Sequence, residues 1–254
     1  MNDSLKEICN VAWADIRFMR HTWVNVLITS MVSPLLYLLA FGYGLGQGVD
    51  NMEGVSYIAF IIPGIVALTA LSASFSSVSG RMNVQRLYYR NFDEMMLCPL
   101  RFSSIAIGKS MLGMIRGLLS CSIIFILGFA LTYGTDSPLY FNIEFVAAVL
   151  ASCFAFSMLG ETAAFLAKSH ASMATFSSLV ILPMTFLCGT FFSISAMPEW
   201  FQAILYVLPL TYSSTIMREA ALGLEFSWLF LLILVVMGIV LLLFNIYLMK
   251  ARRI

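Results

Sequence analysis

The stretch YIAFIIPGIVALTALSASFSSV, residues 57–78, holds twenty-two residues without a single charge. At 1.5 Å per residue a helix of that length reaches across the ~30 Å hydrocarbon layer of a bilayer. Outward from this segment five more apolar stretches follow the same rule: Trp23 to Tyr43, Met111 to Tyr133, Phe145 to Ala167, Ala171 to Phe192 and Ser227 to Met249. Only the third and fourth spans carry a charge, Arg116 and Glu161 respectively.

Composition agrees. The 254 residues are 61% hydrophobic and 11% charged, against about half and about one quarter in soluble domains. So few charges cannot cover a globular surface, and the expected fold is an all-α polytopic membrane protein with six transmembrane helices. The chain divides into an interfacial helix (1–22), spans one and two (23–79), a cytoplasmic segment (80–104), spans three to five (105–192), an outer hairpin (193–226), and span six with a tail (227–254).

Lysine and arginine set the orientation. Lys6, Arg17, Arg20, Arg81, Arg86, Arg90, Arg101, Lys109, Lys168, Lys250, Arg252 and Arg253 all fall on one side of the proposed bundle. The opposite connections hold only Arg218, together with Asp50, Glu53, Asp136, Glu144, Glu199, Glu219 and Glu225. The positive-inside bias predicts both termini in the cytoplasm. Before the first span, Leu5, Ile8, Cys9, Ala12, Ile16 and Met19 repeat at helical spacing opposite Lys6, Asn10, Arg17 and Arg20, which predicts a helix lying on the membrane.

Between spans five and six, residues 201–208 are almost wholly apolar yet too short to cross, and Pro198 and Pro209 bound them. They predict a re-entrant or interfacial helical hairpin in the outer leaflet, with Trp200, Tyr206 and Tyr212 at the depth amphipathic rings prefer.

Nucleotide-binding motifs fail on inspection. Gly108-Lys109-Ser110 ends like a phosphate-binding loop, but Ser103 stands where the first glycine belongs, and Gly42, Gly44, Gly46 and Gly48 lack dinucleotide spacing. Two edge histidines and scattered cysteines offer no metal site and no catalytic base in the membrane, which argues against an intramembrane hydrolase. The cytoplasmic run Arg90, Asn91, Phe92, Asp93, Glu94, Met95, Met96, Leu97, Cys98, Pro99 predicts a short helix with acids at its positive end and an adaptable apolar docking face of phenylalanine and methionine.

Arg116 follows Lys109 by seven residues and Glu161 precedes Lys168 by seven, so both sit about 10 Å inside the cytoplasmic boundary. Two arrangements are open: an intramembrane ion pair facing the pathway, or Arg116 reaching for lipid phosphates while Glu161 is protonated or wetted.

These residues resemble a known family. Phe41-Gly42-Tyr43-Gly44-Leu45-Gly46, Tyr57, Pro63-Gly64, Arg90 through Glu94, Leu97, Pro99 and Gly108-Lys109 are followed by Met197-Pro198-x-Trp200, Leu208-Pro209-Leu210-Thr211-Tyr212, Arg218 and Gly223. Over essentially the whole chain the pattern is similar to permease subunits of type 2 ATP-binding-cassette transporters, in the branch with drug-resistance permeases and nodulation-factor-export J proteins. The resemblance implies a coupling helix at Asn91 to Pro99 that seats in a separate ATPase, and an outer hairpin over Pro198 to Gly223. It further implies a second copy of the permease, membrane lipid as a partner, no nucleic acid, and the inner membrane of a prokaryote as location. No cofactor is expected on this chain; ATP and magnesium would be held by the partner ATPase. The expected function is export of an amphipathic substrate such as a lipid-linked saccharide, a lipid or a hydrophobic drug. The competing expectation is a stand-alone ion-coupled secondary transporter or channel, for which midplane charge and internal repeats are scarce.

Overall fold

A computed structural model describes residues 3–19, 23–45, 51–52, 55–132, 139–192, 194 and 197–252. Helix α1 (Asp3–Met19) precedes α2 (Trp23–Tyr37), which runs into a π-helical stretch, Leu38–Leu45. Two short strands, β1 (Asn51–Met52) and β2 (Val55–Ser56), pair antiparallel before α3 (Tyr57–Leu87). Then come α4 (Asn91–Leu97), α5 (Phe102–Thr132) and α6 (Ile143–Leu166). One helical run follows as α7 (His170–Phe176), a π turn (Ser177–Ile181) and α8 (Leu182–Leu187). The chain closes with α9 (Glu199–Leu205), α10 (Pro209–Leu222) and α11 (Trp228–Arg252).

Among the described residues, five helical runs are long and apolar enough to cross a membrane: α3, α5, α6, His170–Leu187 and α11. The first expected span is represented by a shorter apolar helix, Ile28–Gly42, with Pro34 inside α2. The fifth expected span is the helical run His170–Leu187, which changes geometry midway. Pro183 has no N–H to give the preceding turn, and the backbone widens to π geometry just before it.

Helix α3 is the axis of the bundle. Its buried side chains, from Phe60 through Phe75, pack against α5, α6 and α10. Small residues let the backbones approach. A side chain at Gly160 would meet the Phe75 carbonyl oxygen at 2.8 Å, and one at Gly128 would meet Ile62 at 2.4 Å. Such close packing drives association where lipid removes the hydrophobic incentive. The opposite faces of α2 and α11 stay apolar and exposed, with Ile28, Val32, Leu36, Leu232, Val236 and Leu243 outermost.

Helix α3 continues nine residues past Val78, carrying Arg81, Gln85 and Arg86. Each polar end is satisfied. Arg86 donates to the carbonyls of Ala164 and Ala167 and so caps the C-terminus of α6. The connection between α3 and α5 is thus α4 and its short flanks, since α5 begins at Phe102.

Candidate functional site

Three regions carry the residues that composition singled out. The first is α4. Arg90 precedes it in a left-handed conformation (φ 56°), which turns the chain sharply out of α3, and Asp93 and Glu94 occupy its first turn, where the helix dipole favours acids. Phe92 is 3% exposed and meets Phe165 edge-on at 5.5 Å. It belongs to a small core with Val78, Met82, Ile105, Phe165 and Met249, on which Met95 and Met96 also lean. The expectation of an exposed phenylalanine and methionine face is corrected here: these side chains fasten α4 to the bundle. The presented face consists of Asn91, Asp93, Glu94, Pro99 and Leu97, the last 82% exposed, with Tyr88 and Tyr89 beside it.

The second region is where α1 meets α3 and α5. Asp15, 1% exposed, accepts from Lys109 Nζ at 2.6 Å, from Gln85 Nε2 at 2.8 Å and from Arg81 Nε at 3.2 Å. Lys109 Nζ also donates to Gln85 Oε1 at 2.8 Å, closing a ring of charge-assisted bonds. Beside it, a Cβ on Gly108 would lie 2.7 Å from Val11 Cβ, so only glycine lets α1 settle this close. The Gly108-Lys109 pair is therefore a seat for α1. Helix α1 is also rotated from its expected setting: Val11, Ala12 and Asp15 are buried, while Leu5, Cys9 and Trp13 face outward.

Arg116 and Glu161 do not meet. Among the described residues the ion pairs are those of Asp15 with Arg81 and with Lys109. Glu161 is fully buried and accepts from Asn245 Nδ2 at 3.2 Å. Asn245 is itself fixed by Thr162 Oγ1 at 2.8 Å and by the Met158 carbonyl at 3.1 Å. Arg116 instead lines two clefts on the other side of α5, toward α2 and α3. The seven-residue spacings fix depth along each helix but not the face, which is why the pairing fails.

The third region is around α9 and α10. Pro198 precedes α9 and Pro209 opens α10, positions where the missing N–H costs nothing. Trp200 is exposed, and Tyr212 donates to the Tyr206 carbonyl at 2.6 Å, bracing the turn between the two helices. Buried Arg218 donates to the carbonyls of Gly189 at 2.7 Å and Phe60 at 3.3 Å, its guanidinium lying 3.7 Å over the Phe60 ring. It ties the segment after α8 to α3. Arg218→Leu would remove both bonds, and loss of charge-assisted bonds of this kind costs about 1.5–3 kcal/mol each. A clear fall in the thermal unfolding midpoint of the detergent-purified protein is expected, with Arg218→Lys intermediate.

The sequence profile of the ABC-2 type transporter family matches residues 6–222, taking in all three regions. The chain belongs to the ABC-2 type transporter family. Among its relatives, the inner membrane transport permease YadH of Escherichia coli K12 is 26% identical over 211 residues, 82% of this chain and 80% of the relative. Nodulation protein J of Rhizobium leguminosarum bv. trifolii is 32% identical over 201 residues, 78% of this chain and 74% of the relative. Nodulation protein J of Rhizobium meliloti is 30% identical over 209 residues, 79% and 77% of the two chains. As an ABC-2 family member this is the transmembrane subunit of an ABC transporter, a multi-pass inner membrane protein, and the family implies a partner ATP-binding subunit.

Proposed function

We propose that this chain is the permease of an ATP-driven exporter, working as a pair of permeases with two separate ATPases that bind ATP and magnesium, and moving an amphipathic cargo out of the inner leaflet. In this reading α2 with its π extension is the first of six crossings, α9 and α10 form a hairpin that stays in the outer leaflet, and both termini are cytoplasmic. The observation that carries it is the construction of α4: a seven-residue helix held from beneath by buried Phe92 presents Leu97, Asp93 and Glu94 outward. A rigidly seated knob transmits a push, where a loose loop would absorb it. Closure of the ATPases would press on α4 and, through the cluster of Phe92, Phe165 and Met249, on α6 and α11 together. Packed bundles answer such a push by switching between discrete arrangements.

The test uses cysteines already present. Cys9 and Cys98 are exposed, whereas Cys121, Cys153 and Cys188 are buried, so a Cys9→Ser background leaves Cys98, beside Leu97, as the exposed thiol. A membrane-impermeant maleimide should leave Cys98 unmodified in intact cells and label it in inverted vesicles stripped of peripheral proteins. Adding back the ATPase should protect it. Labelling from outside intact cells, or labelling indifferent to the ATPase, overturns the coupling role.

A further inference from the structure

We propose that Arg116 anchors a binding site for the phosphodiester of an anionic amphiphile with a hydroxylated headgroup, set in the cytoplasmic half of the bundle between α1, α2, α3 and α5. Two clefts, of about 300 and 260 Å³, share Arg116 and Ser76 as common walls. The first is bounded by Arg81, Phe18 and Tyr89, and it is open beside Gly80, where an added Cβ would meet nothing within 4 Å. The second is lined by the hydroxyl-bearing residues Thr29, Ser30, Ser33 and Ser72, of which Ser30 also meets Ser120 and Ser72 donates to the Thr69 carbonyl.

Charge is out of balance here. Among the described residues Arg81 and Lys109 share the single carboxylate of Asp15, and Arg116 has no ion-pair partner, so the cations outnumber the carboxylate they are paired with. A guanidinium in a partly buried cleft is matched best by a planar or tetrahedral oxyanion, and phosphate takes two of its N–H groups at once. The hydroxyl-lined cleft next to it suits the polar group esterified to that phosphate. Depth selects the source. Arg116 lies about 10 Å past Lys109 along α5, and α2 flanks the site with lipid-exposed Ile28 and Val32. An anion carried there by acyl chains is already in its solvent, whereas a free anion must leave water.

The assignment rests on the permease reading only in naming the leaflet, and its test needs neither ATPase nor nucleotide, so loss of ATPase coupling leaves it standing. Native mass spectrometry of the purified full chain, in neutral detergent doped with equal phosphatidylglycerol and phosphatidylcholine, reads the ratio of the two lipids retained. Wild type should favour phosphatidylglycerol at least tenfold. Arg116→Gln should bring the ratio near one, Arg116→Lys should keep part of it, and Ser76→Leu, which blocks both clefts without touching the cation, should also abolish it. A misfolded variant would lose both lipids, so a ratio near one with total bound lipid kept at the wild-type level reads selectivity and not damage. Selectivity retained in both Arg116→Gln and Ser76→Leu overturns the site. Displacement of phosphatidylglycerol by millimolar inorganic phosphate would assign the clefts to a free anion and overturn the lipid reading.

Discussion

Asp15→Ala should destabilise the protein by about 3–5 kcal/mol, the cost of removing one partner of a buried charge network. The loss falls on the carboxylate because Lys109, Gln85 and Arg81 all converge on it. Without Asp15, Lys109 keeps only the Gln85 oxygen, and two cations stand in a partly buried space with no compensating anion. Lys109→Met should cost less, since Asp15 retains Arg81 and Gln85. Asp15→Leu with Lys109→Leu should recover most of the loss, because a well-packed apolar pair often replaces a buried ion pair at little cost. Thermal unfolding in detergent gives the ranking, and limited proteolysis gives its location: α1 should become the first cleaved segment in Asp15→Ala. Equal destabilisation by all three variants would mean that the network contributes packing alone.

The membrane class, the helical spans and the short helix before Pro99 were legible because they depend on runs: twenty uncharged residues, or an acid pair followed by proline, carry their meaning locally. What stayed hidden depends on which side of a helix a residue faces relative to a partner far along the chain. Asp15 follows Val11 and Ala12 at helical spacing and so shares their face, a signal that was present, but apolar neighbours such as Leu5 and Cys9 on the adjacent face drew the amphipathic axis away from it. Gly108-Lys109 looked like a degraded nucleotide motif because its real partner, Val11 and Asp15, lies almost a hundred residues earlier. The π turn in the fifth span was signalled by Pro183, yet hydropathy is indifferent to the backbone change that proline imposes. Arg116 and Glu161 share a depth, which spacing predicts, and face different neighbours, which spacing does not. A buried Arg218 in a connection otherwise rich in acids was visible as an exception; that it holds backbone carbonyls of Gly189 and Phe60 needed the fold.

Phe92→Asp and Leu97→Asp should produce opposite kinds of failure. Phe92 is enclosed by Phe165, Met82 and Ile105, and truncating a buried aromatic to alanine already costs about 3–5 kcal/mol. A carboxylate there adds desolvation with no partner, so Phe92→Asp should expel α4 from its seat and lower the unfolding midpoint of the permease by itself. Leu97 touches solvent over most of its surface, so Leu97→Asp should leave that midpoint within error of wild type. Its effect should appear only when the ATPase is present. Loss of a central apolar anchor is worth 2 kcal/mol or more, a fall of about 30-fold in affinity, and copurification of the ATPase with the tagged permease should drop accordingly. Asp93→Lys and Glu94→Lys, on the same exposed turn, should weaken the complex in a salt-dependent way that Leu97→Asp does not share. Were Leu97→Asp to unfold the isolated permease, or to leave ATPase recovery intact, α4 would be part of the bundle's own packing, and the motor would have to grip the permease elsewhere.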